Sequence, residues 1–169
     1  MIQVLENLYC GSEQDFYGVL SHKYYDENQW AFVQCAKDPF HRAMVGYIGR
    51  SCPTDSPEYL VAVRGERMAL NMVDANHPMY FTKSMIDGAL AFIDTALKNG
   101  RNVLVHCNQG ASRAPSICLL YMATCRKVWG ECTIEEAADE FCQLYPNYIP
   151  HMGIWRHIQN FWSEYMKGG

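Results

Sequence analysis

The chain has 169 residues, of which 49% are hydrophobic and 19% are charged, and its formal net charge is −4. This balance is typical of a globular protein rather than a disordered one, and the length suits one domain with a substantial core. Because there is no basic surplus, we expect no general nucleic-acid binding. No repeat or linker interrupts the chain, so residues 1–169 are interpreted as a single domain.

The same features predict a cytoplasmic protein without a membrane span. The opening residues "MIQVLENLYCGSEQDF" lack the basic and apolar regions of a secretory signal. The longest uncharged apolar stretch, Ala114 to Cys125, is shorter than the roughly 20 residues that cross a bilayer. The eight cysteines form no C-x-x-C pair, and the histidine spacing matches no zinc pattern. We therefore expect reduced thiols and neither a metal nor another cofactor.

Short strands are predicted first, from β-branched or alternating apolar residues between turn residues. They are Ile2–Leu5, Leu8–Cys10, Ala31–Cys35, Arg67–Val73 and Asn102–His106. Helical periodicity is found at four places: Ser84–Lys98, the stretch after Pro115, the stretch opened by the capping-box pair Thr133 and Glu136, and Ile154–Tyr165. This pattern predicts an α/β fold with a central, mostly parallel sheet flanked by helices. The segment Ala36–Glu66 gives no readable pattern; unstructured stretches of that length are uncommon, and they are often functional or contain small elements that the sequence does not reveal.

One junction between a strand and a helix carries unusual chemistry. In "VLVHCNQGASRAP", Val103 to Pro115, an apolar run ends at His106-Cys107, and an arginine follows six positions after the cysteine. Proline suits the first turn of a helix, so Asn108–Ser112 is predicted to be a tight loop at a helix N-terminus. Such a loop turns N–H groups toward one point and binds anions.

The same environment favours a reactive cysteine. The pKa of a cysteine at a helix N-terminus can fall from about 8.5 to roughly 3.5–7.5. The planar guanidinium of Arg113 can hold two phosphate oxygens at once. A buried cysteine usually belongs to the core, but here the apolar run stops at Val105 and a polar, glycine-containing loop follows. We therefore interpret Cys107 as a nucleophile toward phosphorus.

The motif "HCNQGASR", His106 to Arg113, resembles the signature loop of the cysteine-dependent protein tyrosine phosphatases, and the chain is similar in size to their dual-specificity subgroup. Three further stretches resemble that subgroup: "LENLYCGSEQDF", "MVDANHPMYFTKSMIDGALAFIDTAL" and "LYPNYIPHMGIWRHIQNF". The resemblance implies the fold of that superfamily. It also implies hydrolysis of phosphotyrosine, and of phosphoserine and phosphothreonine, in phosphorylated proteins or peptides through a metal-independent cysteinyl-phosphate.

The resemblance also implies roles for the loop residues. Cys107 would attack phosphorus, and His106 would support the loop. The phosphate would be held by Arg113 and the residues before it, which are Asn108, Gln109, Gly110, Ala111 and Ser112. The position that matches the general acid is Asp74, in a segment that we call the acid loop, residues 71–78, "NMVDANHP". By itself Asp74 would more simply be interpreted as a turn residue, and the Cys107 signature is what favours a catalytic role; His77 is interpreted as a loop residue.

One residue departs from the family pattern. The family usually has Ser or Thr directly after the arginine, where the hydroxyl stabilises the departing thiolate, but this chain has Ala114. We therefore predict slow breakdown of the phosphoenzyme, which Ala114→Ser would accelerate.

Other functions remain open from the sequence. They are a phosphoinositide phosphatase, an RNA 5′-phosphatase, a non-catalytic phosphate-binding module and a sulfurtransferase. A phosphoinositide phosphatase is disfavoured because the loop has no lysine, and an RNA 5′-phosphatase because the chain is acidic overall. A non-catalytic module is disfavoured because both Cys107 and Arg113 are present. A sulfurtransferase is disfavoured because Asp74 would have no role in it.

Substrate selectivity is also open. A shallow cleft would accept phosphoserine, whereas a deep cleft would reach only phosphotyrosine. Ala36–Glu66 could form a wall of that cleft, and its arginines, with Arg67, could bind a second phosphate or be ordinary surface charges. Cys35, Cys118 or Cys125 could form a disulfide with an oxidised Cys107, although the last two are more simply interpreted as core residues.

Overall fold

The computed structural model describes residues 1–23 and 25–168, so that residues 24 and 169 of the predicted domain lie outside the described residues. Within them, a sheet is formed by strands in the order β1-β2-β6-β3-β5-β4. The strands are β1 (Ile2–Leu5), β2 (Leu8–Ser12), β3 (Trp30–Gln34), β4 (Val61–Arg64), β5 (Arg67–Leu70) and β6 (Asn102–Cys107).

The helices pack on both faces of this sheet. They are α1 (Glu13–Ser21), α2 (Arg42–Val45), α3 (Lys83–Lys98), α4 (Arg113–Leu120), α5 (Ile134–Leu144) and α6 (Met152–Gly168). Short helical turns cover Lys37–His41, Pro78–Tyr80 and Tyr121–Cys125, and the last of these continues α4. No helix in residues 1–23 and 25–168 is long and apolar enough to cross a membrane.

The four inner strands, β2, β6, β3 and β5, are parallel, and the outer strands β1 and β4 pair antiparallel to their neighbours. The predicted α/β fold with a mostly parallel central sheet is therefore confirmed. Because parallel strands end at the same edge, Ser12 of β2 lies opposite Cys107 of β6, and Gln34 of β3 lies opposite His106. This carboxyl edge is where parallel sheets usually bind ligands.

The alternation of side chains along β6 directs neighbouring residues to opposite faces of the sheet. Val103, Val105 and Cys107 belong to the large core formed with the central and C-terminal helices. Leu104 belongs to the smaller cluster on the other face, under α1. His106 also lies there, because its ring stacks on Phe16 with centroids 4.6 Å apart.

Helix α1 and the short elements within Ala36–Glu66 were not predicted from the sequence. Helix α1 begins with a capping box, in which the Ser12 hydroxyl accepts from the N–H of Asp15 and the Asp15 carboxylate accepts from the N–H of Ser12. Strand β4 lies in Ala36–Glu66, which also contains α2 and the Lys37–His41 turn. In that segment His41 is buried and its Nε2 lies 2.8 Å from the carbonyl oxygen of Glu58. The segment is thus folded rather than a long loop.

Candidate active site

The signature loop joins β6 to α4, as the sequence predicts. Cys107 is the last residue of β6, with 2% of its surface exposed, and α4 begins at Arg113. Between them Gly110 has a φ of +73°, a conformation that favours glycine. A Cβ atom on Gly110 would lie 2.9 Å from the carbonyl carbon and oxygen of Gly11 in β2. Glycine is therefore required at this position for two independent reasons.

The carbonyl groups of the signature loop are bound to the surrounding elements. Asn108 O accepts from Glu13 N–H at 3.3 Å, Gly110 O from the Tyr145 hydroxyl at 2.8 Å, and Ala111 O from Ile149 N–H at 2.8 Å. In a trans peptide the next N–H points opposite to the carbonyl. The N–H groups that follow these carbonyls therefore point away from those partners. Inward-facing N–H groups beside a helix N-terminus form an anion-binding site.

Arg113 is held beside this loop with part of its guanidinium unused. Its side chain is buried, and its Nη1 donates to the carbonyl oxygen of Met72 at 3.2 Å. Its Nη2 donates to Asn108 Oδ1 at 3.0 Å and lies 3.7 Å from Asp74 Oδ2. Its Nε is buried with no hydrogen-bond partner among the described residues. An unpartnered buried donor is costly unless a ligand satisfies it, so Arg113 fits an oxyanion ligand.

The Asn108 and Ser112 side chains brace the loop. Asn108 Nδ2 donates to Glu13 Oε2 at 2.9 Å and to the carbonyl oxygen of Asp38 at 3.1 Å. The Ser112 hydroxyl accepts from the backbone N–H of His151 at 3.0 Å. These hydrogen bonds hold both side chains against neighbouring segments, and Ser112 also lines the cleft that contains Cys107.

The candidate acid and nucleophile face the same cleft. Asp74, Cys107, Gln109, Ala111 and Ser112 line a cleft of about 160 Å³, together with Ile149 and His151. The structure thus brings Asp74 of the acid loop to Cys107 although 33 positions separate them in the sequence.

The remaining lining residues were not predicted from the sequence. The side chain of His151 is half exposed, and its Nδ1 lies 3.6 Å from Asp74 Oδ1. Ile149 is largely exposed beside it. Both precede α6 and lie far along the chain from the signature loop, so no local pattern connects them with it. Ala36–Glu66, which could have formed a wall of the cleft, contributes no lining residue to it, and its Asp38 contacts the signature loop by accepting from Asn108 Nδ2.

His106 is buried beside the loop, on the face of the sheet that α1 covers. Its ring packs between Phe16 and Phe40, with centroid distances of 4.6 and 4.7 Å. Burial lowers the pKa of His106 to about 3. Among the described residues neither ring nitrogen has a hydrogen-bond partner. The imidazole is therefore neutral and acts as a buried ring behind the loop.

The other cysteines and arginines that the sequence raises as candidates are buried in the core or contact neighbouring side chains. Burial raises the pKa of the Cys35 and Cys118 thiols well above their usual value. Arg64 makes two hydrogen bonds to the Glu58 carboxylate, at 2.5 and 2.9 Å, and Arg67 lies over Phe32. Arg42 pairs with Asp38. Among the described residues no group of three His, Cys, Asp or Glu side chains is arranged to hold a metal ion.

Comparison with known proteins agrees with the signature sequence. A sequence model of the family described as "Dual specificity phosphatase, catalytic domain" matches residues 51–163. Human dual specificity protein phosphatase 5 is 33% identical over 76 residues, which are 45% of this chain and 19% of that protein. Human dual specificity protein phosphatase 2 is 43% identical over 76 residues, 45% of this chain and 23% of that protein.

A solved structure extends the similarity to nearly the whole chain. The crystal structure of DUSP15 matches with a TM-score of 0.67 at 20% identity, covering 99% of this chain and 90% of that one. At this identity the likeness shows the fold. The chain spans only about a fifth of the length of the two dual specificity protein phosphatases that it matches in sequence. Because the family model matches more than half of the chain, the chain belongs to the dual specificity phosphatase catalytic-domain family, within the cysteine-dependent protein tyrosine phosphatases.

Proposed function

We propose that this chain is a protein phosphatase that hydrolyses phosphotyrosine, phosphoserine and phosphothreonine through a cysteinyl-phosphate. Two observations at the ends of the signature loop carry the proposal: Cys107 lines the cleft, and the guanidinium Nε of Arg113 is buried without a hydrogen-bond partner among the described residues. The family match supports the same chemistry and favours it over phosphoinositide, RNA and non-catalytic alternatives.

In the first step the Cys107 thiolate attacks phosphorus while the bond from phosphorus to the leaving oxygen breaks. Arg113 and the loop N–H groups hold the phosphate oxygens and stabilise their charge in the transition state. Asp74 donates its proton to the leaving oxygen and becomes a carboxylate. Its position in the same cleft as Cys107 supports this role.

In the second step water attacks the phosphoenzyme. Asp74, now a carboxylate, takes a proton from the water as the new P–O bond forms and the S–P bond breaks. Inorganic phosphate and the Cys107 thiolate are released. Ala114 offers no hydroxyl to the departing sulfur, so we expect this step to limit turnover.

The family match supports dual specificity, because the family model and the matched relatives are all described as dual specificity phosphatases. The substrates in this proposal are therefore phosphorylated proteins or peptides of either kind.

We further propose that residues 1–169 act as one catalytic domain in the cytoplasm. Strand β1, which begins at Ile2, and strand β6, which ends at Cys107, belong to one sheet, and the C-terminal helices complete the main core on that sheet. All eight cysteines are free thiols, and five of them are buried. Such thiols suit a reducing compartment.

Phosphate release from matched phosphotyrosine and phosphoserine peptides, at mildly acidic pH without added metal, tests the proposal. Release from both peptides should vanish in Cys107→Ser and persist in Cys142→Ser, which alters a cysteine of α5. Asp74→Asn should lower the rate by about 10²–10⁴-fold. Release from phosphotyrosine alone would refute dual specificity, and equal rates for wild type and Cys107→Ser would refute the mechanism.

A further inference from the structure

The segment that precedes α6 and enters its first turn, residues 149–153, touches both catalytic loops. On one side Ile149 N–H donates to the carbonyl oxygen of Ala111 at 2.8 Å, and His151 N–H donates to the Ser112 hydroxyl at 3.0 Å. On the other side Gly153 packs directly on the acid loop, where a Cβ atom would collide with the carbonyl oxygen of Ala75. This segment therefore fixes the distance between the signature loop and the acid loop.

The side chain of His151 extends this contact to the candidate acid. Its Nδ1 lies 3.6 Å from Asp74 Oδ1, and the ring lines the same cleft as Cys107. The other oxygen of Asp74, Oδ2, lies 3.7 Å from Arg113 Nη2. The Asp74 carboxyl thus lies between an imidazole and a guanidinium, and both separations are longer than a hydrogen bond. The Cys107 thiol lines the cleft together with Asp74 and His151, and the charged group beside Asp74 Oδ2 is the Arg113 guanidinium.

A bound substrate would affect the two contacts of Asp74, with His151 and with Arg113, in different ways. A phosphate bound above Cys107 pairs with the guanidinium of Arg113, whose Nε has no partner among the described residues. This pairing moves the guanidinium away from Asp74 Oδ2, while His151 keeps its contact with Oδ1. Oδ2 is then the oxygen that can carry a proton to the leaving group.

We propose that His151 is a positioning residue, which holds Asp74 Oδ1 so that Oδ2 is directed at the leaving-group oxygen. This inference rests on the proposed phosphatase function and adds to it a residue that the signature sequence does not contain. Because His151 acts through Asp74, its removal harms only those substrates whose leaving group needs a proton. A residue that merely supported the loops would affect all substrates alike.

The test compares His151→Ala with wild type on phenyl phosphate, whose leaving group needs a proton, and on dinitrophenyl phosphate, whose leaving group does not. We expect kcat/KM to fall about tenfold on phenyl phosphate and less than about twofold on dinitrophenyl phosphate, since general acids contribute in this way. Adding His151→Ala to Asp74→Asn should cause no further loss on phenyl phosphate. Asn160→Ala, at an exposed position of α6 outside both loops, is the matched control and should match wild type.

An equal loss on both substrates, or a further loss in the double variant, would overturn the inference while leaving Cys107-dependent phosphate release intact. If wild type released no phosphate from either ester, the proposed function would fail first, and this inference with it.

Discussion

Replacing Gly153 with alanine tests whether α6 holds the acid loop in its active position. The added Cβ would collide with the carbonyl oxygen of Ala75 and lie 3.0 Å from that of His77. Both neighbours are backbone atoms, so no flexible side chain can move aside. The acid loop or the start of α6 must shift to make room, and Asp74 lies directly before Ala75.

The expected magnitude follows from two opposing effects. Alanine stabilises a helix by about 1 kcal/mol relative to glycine, whereas an extra carbon in a tightly packed site costs about 1–3 kcal/mol. The net loss in the free energy of unfolding is therefore between zero and about 2 kcal/mol. The kinetic effect is larger, because misplacing a catalytic group by about 1 Å can cost up to 10²-fold. We expect kcat/KM on phenyl phosphate to fall at least about tenfold.

Urea unfolding and kinetics on phenyl phosphate measure these effects, with Gly88→Ala as the matched control. Gly88 lies within α3, and no described atom outside its local helix lies within 4 Å of a Cβ placed on it. Gly88→Ala should raise the free energy of unfolding by about 1 kcal/mol and leave the rate unchanged. If Gly153→Ala gained the same stability and kept the wild-type rate, the contact between α6 and the acid loop would not position Asp74.

Three other substitutions give expected outcomes. In the unfolded chain an imidazole titrates near pH 6.5, whereas burial lowers the pKa of His106 in the folded protein to about 3. The unfolded state therefore binds the proton first, and the free energy of unfolding falls as the pH drops from 6.5 toward 3. His106→Phe should reduce the urea-measured loss between pH 6.5 and 5 by about 2 kcal/mol; an equal loss in both proteins would contradict this. Ala114→Ser should speed phosphoenzyme breakdown, seen in rapid-quench experiments as less accumulated intermediate and faster turnover, and no accumulation in wild type would refute the reasoning. Gly110→Ala should lower the free energy of unfolding by at least about 1–2 kcal/mol, because it adds a strained φ to a collision with Gly11; wild-type stability would show that the loop relaxes.

The candidate nucleophile and its arginine could be found in the sequence because their arrangement is local. A strand, a tight loop and a helix follow one another between Asn102 and Leu120. The spacing of Cys107 and Arg113 therefore determines their geometry almost without reference to the rest of the chain. Helix α1 also begins with a local signal, the capping box of Ser12 and Asp15, and could have been predicted from it.

Ala36–Glu66 could not be interpreted because its order depends on distant partners. Strand β4 is short and lies at the edge of the sheet, where it pairs only with β5. His41 is buried against the carbonyl of Glu58, and the charge of Arg64 is paired with the Glu58 side chain. Short elements of this kind carry weak periodicity, and packing supplies most of their stability.

The sequence by itself determined the family, the parallel character of the sheet and the loop that presents Cys107. The sequence also named Asp74 as the matching acid, but only the tertiary structure placed it in one cleft with Cys107 and added His151 and Ile149. Asp74 and His151 reach that cysteine from 33 positions before and 44 positions after in the chain. The packing of Gly153 on Ala75 and the hydrogen bonds of residues 149–151 to the signature loop bring them there. Local patterns record the preferences of neighbouring residues, whereas a contact across the fold depends on the packing of elements that do not adjoin in sequence.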